Sequence, residues 1–261
     1  MSDLRKFQLR LLEMLEIVDK IFKENQLQYF LLGGSALGAI RHKGFIPWDD
    51  DIDIGLYRKD FERMEEIIQR NLPMNLLYCK IGENKIPNAP IGYLYDISNS
   101  EKSLDKVPTI DIFAIDNVPN NKIIERIQNI FAKVYNLCIY KKPARNRGKI
   151  AYFFTKMILG IFPNFLLSYL EKVSKKIIVS YKNKNTKYVN NLFGANLEKV
   201  RKEVMGKGIL KEFENKFFPI PELYDEYLTT LYGNYMELPN KKNQQPKHKV
   251  EIFNQEGKKR A

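Results

Sequence analysis

The stretch Gly33-Gly34-Ser35-Ala36-Leu37-Gly38-Ala39-Ile40-Arg41-His42-Lys43-Gly44-Phe45-Ile46-Pro47-Trp48-Asp49-Asp50-Asp51-Ile52-Asp53-Ile54 decides how this chain is read. It follows a short apolar run, LQYFLL (27–32), which reads as a strand entering a glycine turn and then a helix. Gly34-Ser35 at such a turn offers unhindered backbone N–H groups, a hydroxyl and a helix N-terminus, all suited to a phosphate. Asp51 and Asp53 stand two residues apart, so on a strand both carboxylates project from one face. Ile52 and Ile54 then point into the core from the other. The sequence Ile110-Asp111-Ile112 repeats this acid-between-aliphatics setting on a second predicted strand, Thr109–Ala114. Three carboxylates gathered on one sheet face repel each other unless a divalent cation sits among them. Hard oxygen donors select Mg²⁺ or Mn²⁺. Asp51, Asp53 and Asp111 are therefore expected to be both metal ligands and catalytic residues.

Working outward, residues 3–24 place Leu4, Phe7, Leu11, Met14, Leu15, Val18 and Phe22 at helical spacing. A helix is predicted over Arg58–Arg70, a strand over Gly92–Ser98 and a helix over 121–139. The run IAYFFTKMILGIFPNFLLSYL (150–170) is almost wholly apolar, but Lys156, Gly160 and Pro163 interrupt it, which favours two short helices over one membrane span. A Lys-rich helix is expected over 171–184 and a last one over Pro221–Met236. The tail 241–261 has no periodicity and is expected to be mobile.

Composition narrows the class. With 28% charged and 44% hydrophobic residues, 16 Phe and 15 Tyr, the chain has the composition of a folded protein. Cys79 and Cys138 lie far apart without CxxC or CxxH spacing, which gives poor support to a disulfide framework or a Cys/His zinc site. Charges run through the apolar positions of the N-terminal segment, so it reads as an amphipathic helix and not a secretory signal; the expected compartment is the reducing cytoplasm. The formal net charge of +12 is unevenly spread. Residues 141–190 carry 12 Lys/Arg against the single acid Glu171, and 241–261 carry 7 against 2, while the remainder has 24 basic and 28 acidic residues. Such a patch attracts any polyanion, and charge alone does not choose among nucleic acid, lipid headgroups and an anionic glycan.

The run from Gly33 to Ile54 closely resembles the signature of the LicD family of phosphotransferases, which share the nucleotidyltransferase fold with fukutin-related proteins. Phe218-Pro219-Ile220-Pro221, followed by Tyr224–Leu228 and Leu231–Met236, resembles the family's C-terminal helix. His248 is the single histidine left of a His-rich family ending. The resemblance implies an α/β (α+β) fold: a nucleotidyltransferase-like mixed sheet flanked by helices, with an added helical C-terminal region. The division expected is a catalytic core over 1–140, a basic and apolar helical region over 141–240, and the tail over 241–261. The resemblance implies transfer of phosphocholine, or a similar phospho-substituent, from CDP-choline or another CDP conjugate to a hydroxyl of a bacterial surface glycan. Teichoic acid, capsule or lipooligosaccharide would be the acceptor, assembled in some cases on a lipid carrier. Asp51 and Asp53 would hold the metal against the pyrophosphate, and Asp111 would complete a metal site or take the hydroxyl proton.

Neighbouring residues complete the expected site. Gly33, Gly34 and Ser35 would cradle phosphate, and Arg41, His42 and Lys43 would clamp its oxygens. Trp48 has two readings, a platform for the quaternary ammonium of choline or a residue packing its loop onto the sheet. Asp49 and Asp50 would balance the choline charge or support the ligands. Tyr57, Tyr93, Tyr95 and Asp116 are further neighbours on strand ends. The basic, apolar middle segment suits peripheral contact with an anionic membrane at the inner face of the plasma membrane, or else forms a buried helical hairpin. Nucleic acid is not an expected partner. Two rival functions stay open: a nucleotidyltransferase acting on a small molecule, and a non-catalytic basic adaptor. The presence of all three acids argues against the adaptor.

Overall fold

Aliphatic residues alternate through Ile52–Tyr57 and Thr109–Val118, and this period-two pattern builds the two central strands. In the computed structural model, which describes residues 1–80, 92–98, 104–143, 148–192 and 199–246, they are β2 (Ile52–Tyr57) and β5 (Thr109–Val118). They pair in parallel. β1 (Tyr29–Leu31) lies antiparallel on the outer side of β2, and β4 (Gly92–Asp96) and β3 (Leu76–Cys79) continue antiparallel beyond β5. The far end of β5 also pairs with β6 (Tyr188–Asn190), which pairs with β7 (Val200–Arg201). A separate hairpin joins β8 (Ile209–Phe213) to β9 (Lys216–Ile220). The result is the mixed sheet flanked by helices that the family resemblance implied.

The helices follow their sequence signals. α1 (Asp3–Glu24) starts where the Ser2 hydroxyl accepts from the Arg5 N–H, and it buries Leu11, Met14, Leu15, Val18 and Phe22 against the sheet. α2 (Gly33–Arg41) leaves β1 at Gly33, whose φ of +50° suits glycine. α3 (Arg58–Asn71) packs Phe61, Met64 and Ile68 inward. α4 (Lys122–Tyr140) is capped by Asn121, whose side-chain oxygen accepts from the N–H groups of Ile123 and Ile124. The apolar run splits at Gly160–Pro163 into α5 (Lys149–Ile161) and α6 (Asn164–Ile178). The separate Lys-rich helix expected over 171–184 is instead the second half of α6, because no breaker separates it from 164–170. The short α7 (Lys202–Met205) precedes α8 (Tyr224–Tyr232), which stops before the expected Met236 because Gly233 takes a φ of +67°.

One cluster of buried side chains joins the elements that position the site. It draws on α1, β1, β2, α3 and β5, and equally on Val189, Val200, Phe213, Phe218, Tyr227 and Leu228 from the far part of the chain. A smaller cluster, Ala132, Tyr135, Ile139, Ile178 and Leu192, fastens α4 to α6. Of the tail, Lys241–Asn243 form a short turn of 3₁₀-helix; residues 247–261, His248 among them, lie outside the described residues.

Asp116 is not a neighbour of the acid cluster. It lies buried and accepts from Arg58 at two points, both 2.8 Å, tying the start of α3 to β5. Tyr57 likewise turns away, its hydroxyl donating to the Gly206 carbonyl at 3.3 Å. Replacing Arg58 with Met would leave a buried carboxylate without its guanidinium, and chemical denaturation should show a loss of about 3–5 kcal/mol. A loss below about 1 kcal/mol would mean that the pair is not structural.

Candidate active site

The parallel register of β2 and β5 sets Asp53 opposite Asp111, with Ile52 opposite Ile110 and Ile54 opposite Ile112. Side chains at paired positions share a face, so the two carboxylates project together while all four isoleucines are fully buried on the other side. Tyr93 of β4 is the next partner of Asp111 across the sheet. Burial first, then the Asp111 charge, pushes the Tyr93 phenol well above its usual pKa, and the same two causes raise Tyr140 at the end of α4. Tyr95 stacks at a tilt on Tyr93, ring centroids 5.6 Å apart. Both tyrosines thus stand beside the acids, as expected.

Asp51 lies just before β2 and belongs to a second grouping. One oxygen each from Asp49, Asp50 and Asp51 come within 4.8 Å of one another, the spacing a metal ion needs. Asp49 and Asp50 are buried and Asp51 is partly so. Three adjacent carboxylates converging in this way form an all-oxygen donor set, which fits a hard divalent cation. Asp51 is common to this trio and to the set expected from the sequence.

The glycine turn closes against these acids. A Cβ on Gly33 would sit 3.1 Å from Asp53 Oδ2, and one on Gly34 would sit 2.8 Å from Asp49 Oδ2. The Ser35 hydroxyl is buried and accepts from the Asp53 backbone N–H at 2.9 Å, and so holds β2 against α2. No side chain caps the N-terminus of α2, although the Gly33 N–H donates to the Tyr227 hydroxyl at 3.1 Å.

Beyond α2, Arg41 donates to the carbonyls of Tyr235 and Glu237, strapping the chain after α8, and its Nε donates to His42 Nε2 at 3.0 Å. Burial, then the Arg41 charge, draws the His42 pKa down, so the imidazole is neutral at pH 7. Lys43 reaches out to Glu212 of β8 at 3.4 Å. Trp48 is half-buried, its ring edge-on to His42 with centroids 6.5 Å apart, and it packs against the main core.

Residues far along the chain fix this loop, and the sequence reading missed them. Gln8, buried on α1, donates from Nε2 to the carbonyls of Asp49 (2.9 Å) and Ile46 (3.3 Å), pinning the turn that presents the acids. A polar residue on the apolar stripe of α1 was the available signal. Glu214, in the turn of the β8–β9 hairpin, accepts from Arg5 and from the Phe45 N–H, while its own N–H donates to the Lys43 carbonyl. The Arg5 guanidinium holds the Glu214 carboxyl below its ordinary pKa. Tyr227 and Tyr232 of α8 bring hydroxyls to Gly33, and nothing in the sequence announces that contact across so many residues.

Residues 26–133 match the family described as LicD/FKTN/FKRP, nucleotidyltransferase domain. Over 262 aligned residues, 96% of this chain and 97% of the relative, the chain is 30% identical to the lipopolysaccharide cholinephosphotransferase LicD of Haemophilus influenzae. The human and mouse ribitol 5-phosphate transferases FKRP are each 49% identical over 41 residues, which is 16% of this chain and 8% of theirs.

Gly34→Ala tests the closeness of turn and acid. The added methyl must displace the Asp49 carboxylate, so the substitution should lower transferase activity at least about tenfold while thermal stability stays within about 1 kcal/mol. Unchanged activity would show that the position of Asp49 is immaterial.

Proposed function

The chain belongs to the LicD family of transferases, and on that footing we propose that it moves phosphocholine from CDP-choline to a hydroxyl of a cell-surface glycan. The observation that carries this reading is the in-register pairing of Asp53 with Asp111, next to the Asp49–Asp51 cluster and the glycine turn. In the reaction the glycan oxygen forms a bond to the phosphorus that bears choline, the bond from that phosphorus to CMP breaks, and the hydroxyl proton goes to a base. Asp111 would take that proton, since it stands beside Asp53 on the open face. The N-terminus of α2, whose Gly33 N–H is held by Tyr227, would offer the N–H groups of Gly34 and Ser35 to the donor's pyrophosphate. Asp49, Asp50 and Asp51, with Asp53 beside them, would hold a divalent cation, Mg²⁺ or Mn²⁺, which would supply positive charge to offset the pyrophosphate and the leaving CMP. Trp48, half-buried at the start of the acidic loop, would face the trimethylammonium group with its aromatic ring.

Purified chain, CDP-choline and lipooligosaccharide lacking phosphocholine form the test. Phosphocholine should appear on the glycan with release of CMP, chelation should abolish transfer, and Mg²⁺ or Mn²⁺ should restore it. Asp53→Asn should cost about 10²–10³ in turnover, the scale set by removing one charge-stabilising group; near wild-type turnover would overturn the assignment. Nucleotide attached to an acceptor from an NTP, with no CMP released from CDP-choline, would point instead to a nucleotidyltransferase. For the donor headgroup, Trp48→Ala should raise KM for CDP-choline about 5- to 30-fold, equivalent to 1–2 kcal/mol of cation–π contact. Its effect on any transfer from CDP-ribitol should be small, and equal effects on both donors would restrict Trp48 to packing.

A further inference from the structure

Ordinary surface helices hide their apolar stripe, and α5 does the reverse. None of its residues is buried. Its outward side carries Ile150, Phe153, Phe154, Met157 and Ile161, at the spacing of one helical face. Ile150 is 76% and Phe153 65% exposed. After a sharp elbow at Gly160–Pro163, with 120° between the helices, Phe165 and Tyr169 of α6 carry the exposed apolar surface onward. α6 itself is anchored, burying Leu167, Ser174 and Ile178. Exposed lysines flank the patch: Lys149 and Lys156 on α5, and Lys172, Lys175 and Lys176 on α6. Among the described residues no single helix is long and apolar enough to cross a membrane.

We propose that the α5–α6 elbow docks on the surface of an anionic lipid bilayer, with its Phe and Ile side chains in the boundary between headgroups and acyl chains and its lysines against lipid phosphates. An apolar stripe alone would equally suit a second copy of the chain. Charge decides between them. A two-fold contact sets the same patch against itself, and residues 141–190, with 12 Lys/Arg and one acid, would repel their own copy. The same excess is complementary to the negative potential of an anionic leaflet. Short helices bearing aromatic and aliphatic residues on one side and lysines along the flanks lie in the plane of the interface rather than across it.

The full chain should co-sediment with vesicles of equal parts phosphatidylcholine and phosphatidylglycerol, less well as salt is raised, and not with phosphatidylcholine alone. The double variant Phe153→Ser/Phe154→Ser should lose at least about tenfold in vesicle affinity while keeping its melting temperature, since both side chains are already in water. Lys172→Glu/Lys175→Glu, which retains the apolar stripe, should weaken binding to the anionic vesicles. No binding at low salt overturns the proposal. So does sedimentation velocity showing a dimer that the double serine variant dissociates, because the surface then belongs to a second copy.

Discussion

Bringing Asp53 alongside Asp111 is the constraint around which the molecule is built. Two like charges about 5 Å apart repel by about 3 kcal/mol at an effective dielectric constant of 20. The parallel register enforces that approach, so something must hold the strands together against it. The other face of the same two strands does so: Ile52, Ile54, Ile110 and Ile112 are fully buried, and each contributes about 1.5–3 kcal/mol of apolar burial. Four such side chains outweigh the repulsion. The alternation of acid and aliphatic is therefore one device with two functions, since the residues that carry the charge are fixed by those between them.

The second group of acids relies on a different support. Asp49, Asp50 and Asp51 sit on a loop, and loops are positioned by what they are bonded to. Here the bonds come from both ends of the chain. Gln8 holds the carbonyls of Asp49 and Ile46 from α1, while Glu214 on the β8–β9 hairpin joins Arg5, Phe45 and Lys43 into one knot. A Cβ on Gly44 would collide with the Glu214 carboxylate, so glycine is what lets the hairpin close on the loop. Ser35, which the sequence suggested as a phosphate ligand, is part of the same support, because its hydroxyl holds the Asp53 backbone.

These contacts explain what could be read in advance. The helices α1, α3 and α4, the strands β2, β4 and β5, and the break at Gly160–Pro163 all follow from local periodicity or local breakers, which a sequence displays openly. The pairing of Asp53 with Asp111 was legible because both acids sit between isoleucines in the same phase. The β8–β9 hairpin was not. Its two-residue turn places Glu214 and Asn215 at φ of 54° and 60°, and glutamate is an unusual choice for the left-handed region. Glu214 is there for its bonds to Arg5 and Phe45, a reason visible only once the chain is folded. The short β6 and β7 are fixed by pairing with β5 and with each other, and so escaped for a similar reason.

The overall charge of this chain misdescribes its site. The formal value of +12 suggests a surface eager for phosphate, yet the residues gathered around Gly33 and Gly34 are Asp49, Asp50, Asp51 and Asp53. Lys43 turns to Glu212 and His42 is neutral, so of the basic triplet at the end of α2 Arg41 is the charge left to offset these acids. A phosphate backbone with many charges would meet this face with repulsion, which argues locally against nucleic acid. An anion small enough to meet the N-terminus of α2 with cationic help at the carboxylates meets the opposite balance. The exposed lysines of α5 and α6 instead flank the apolar surface of the elbow. The fold thus separates two electrostatic tasks that a count over the whole sequence adds into one number.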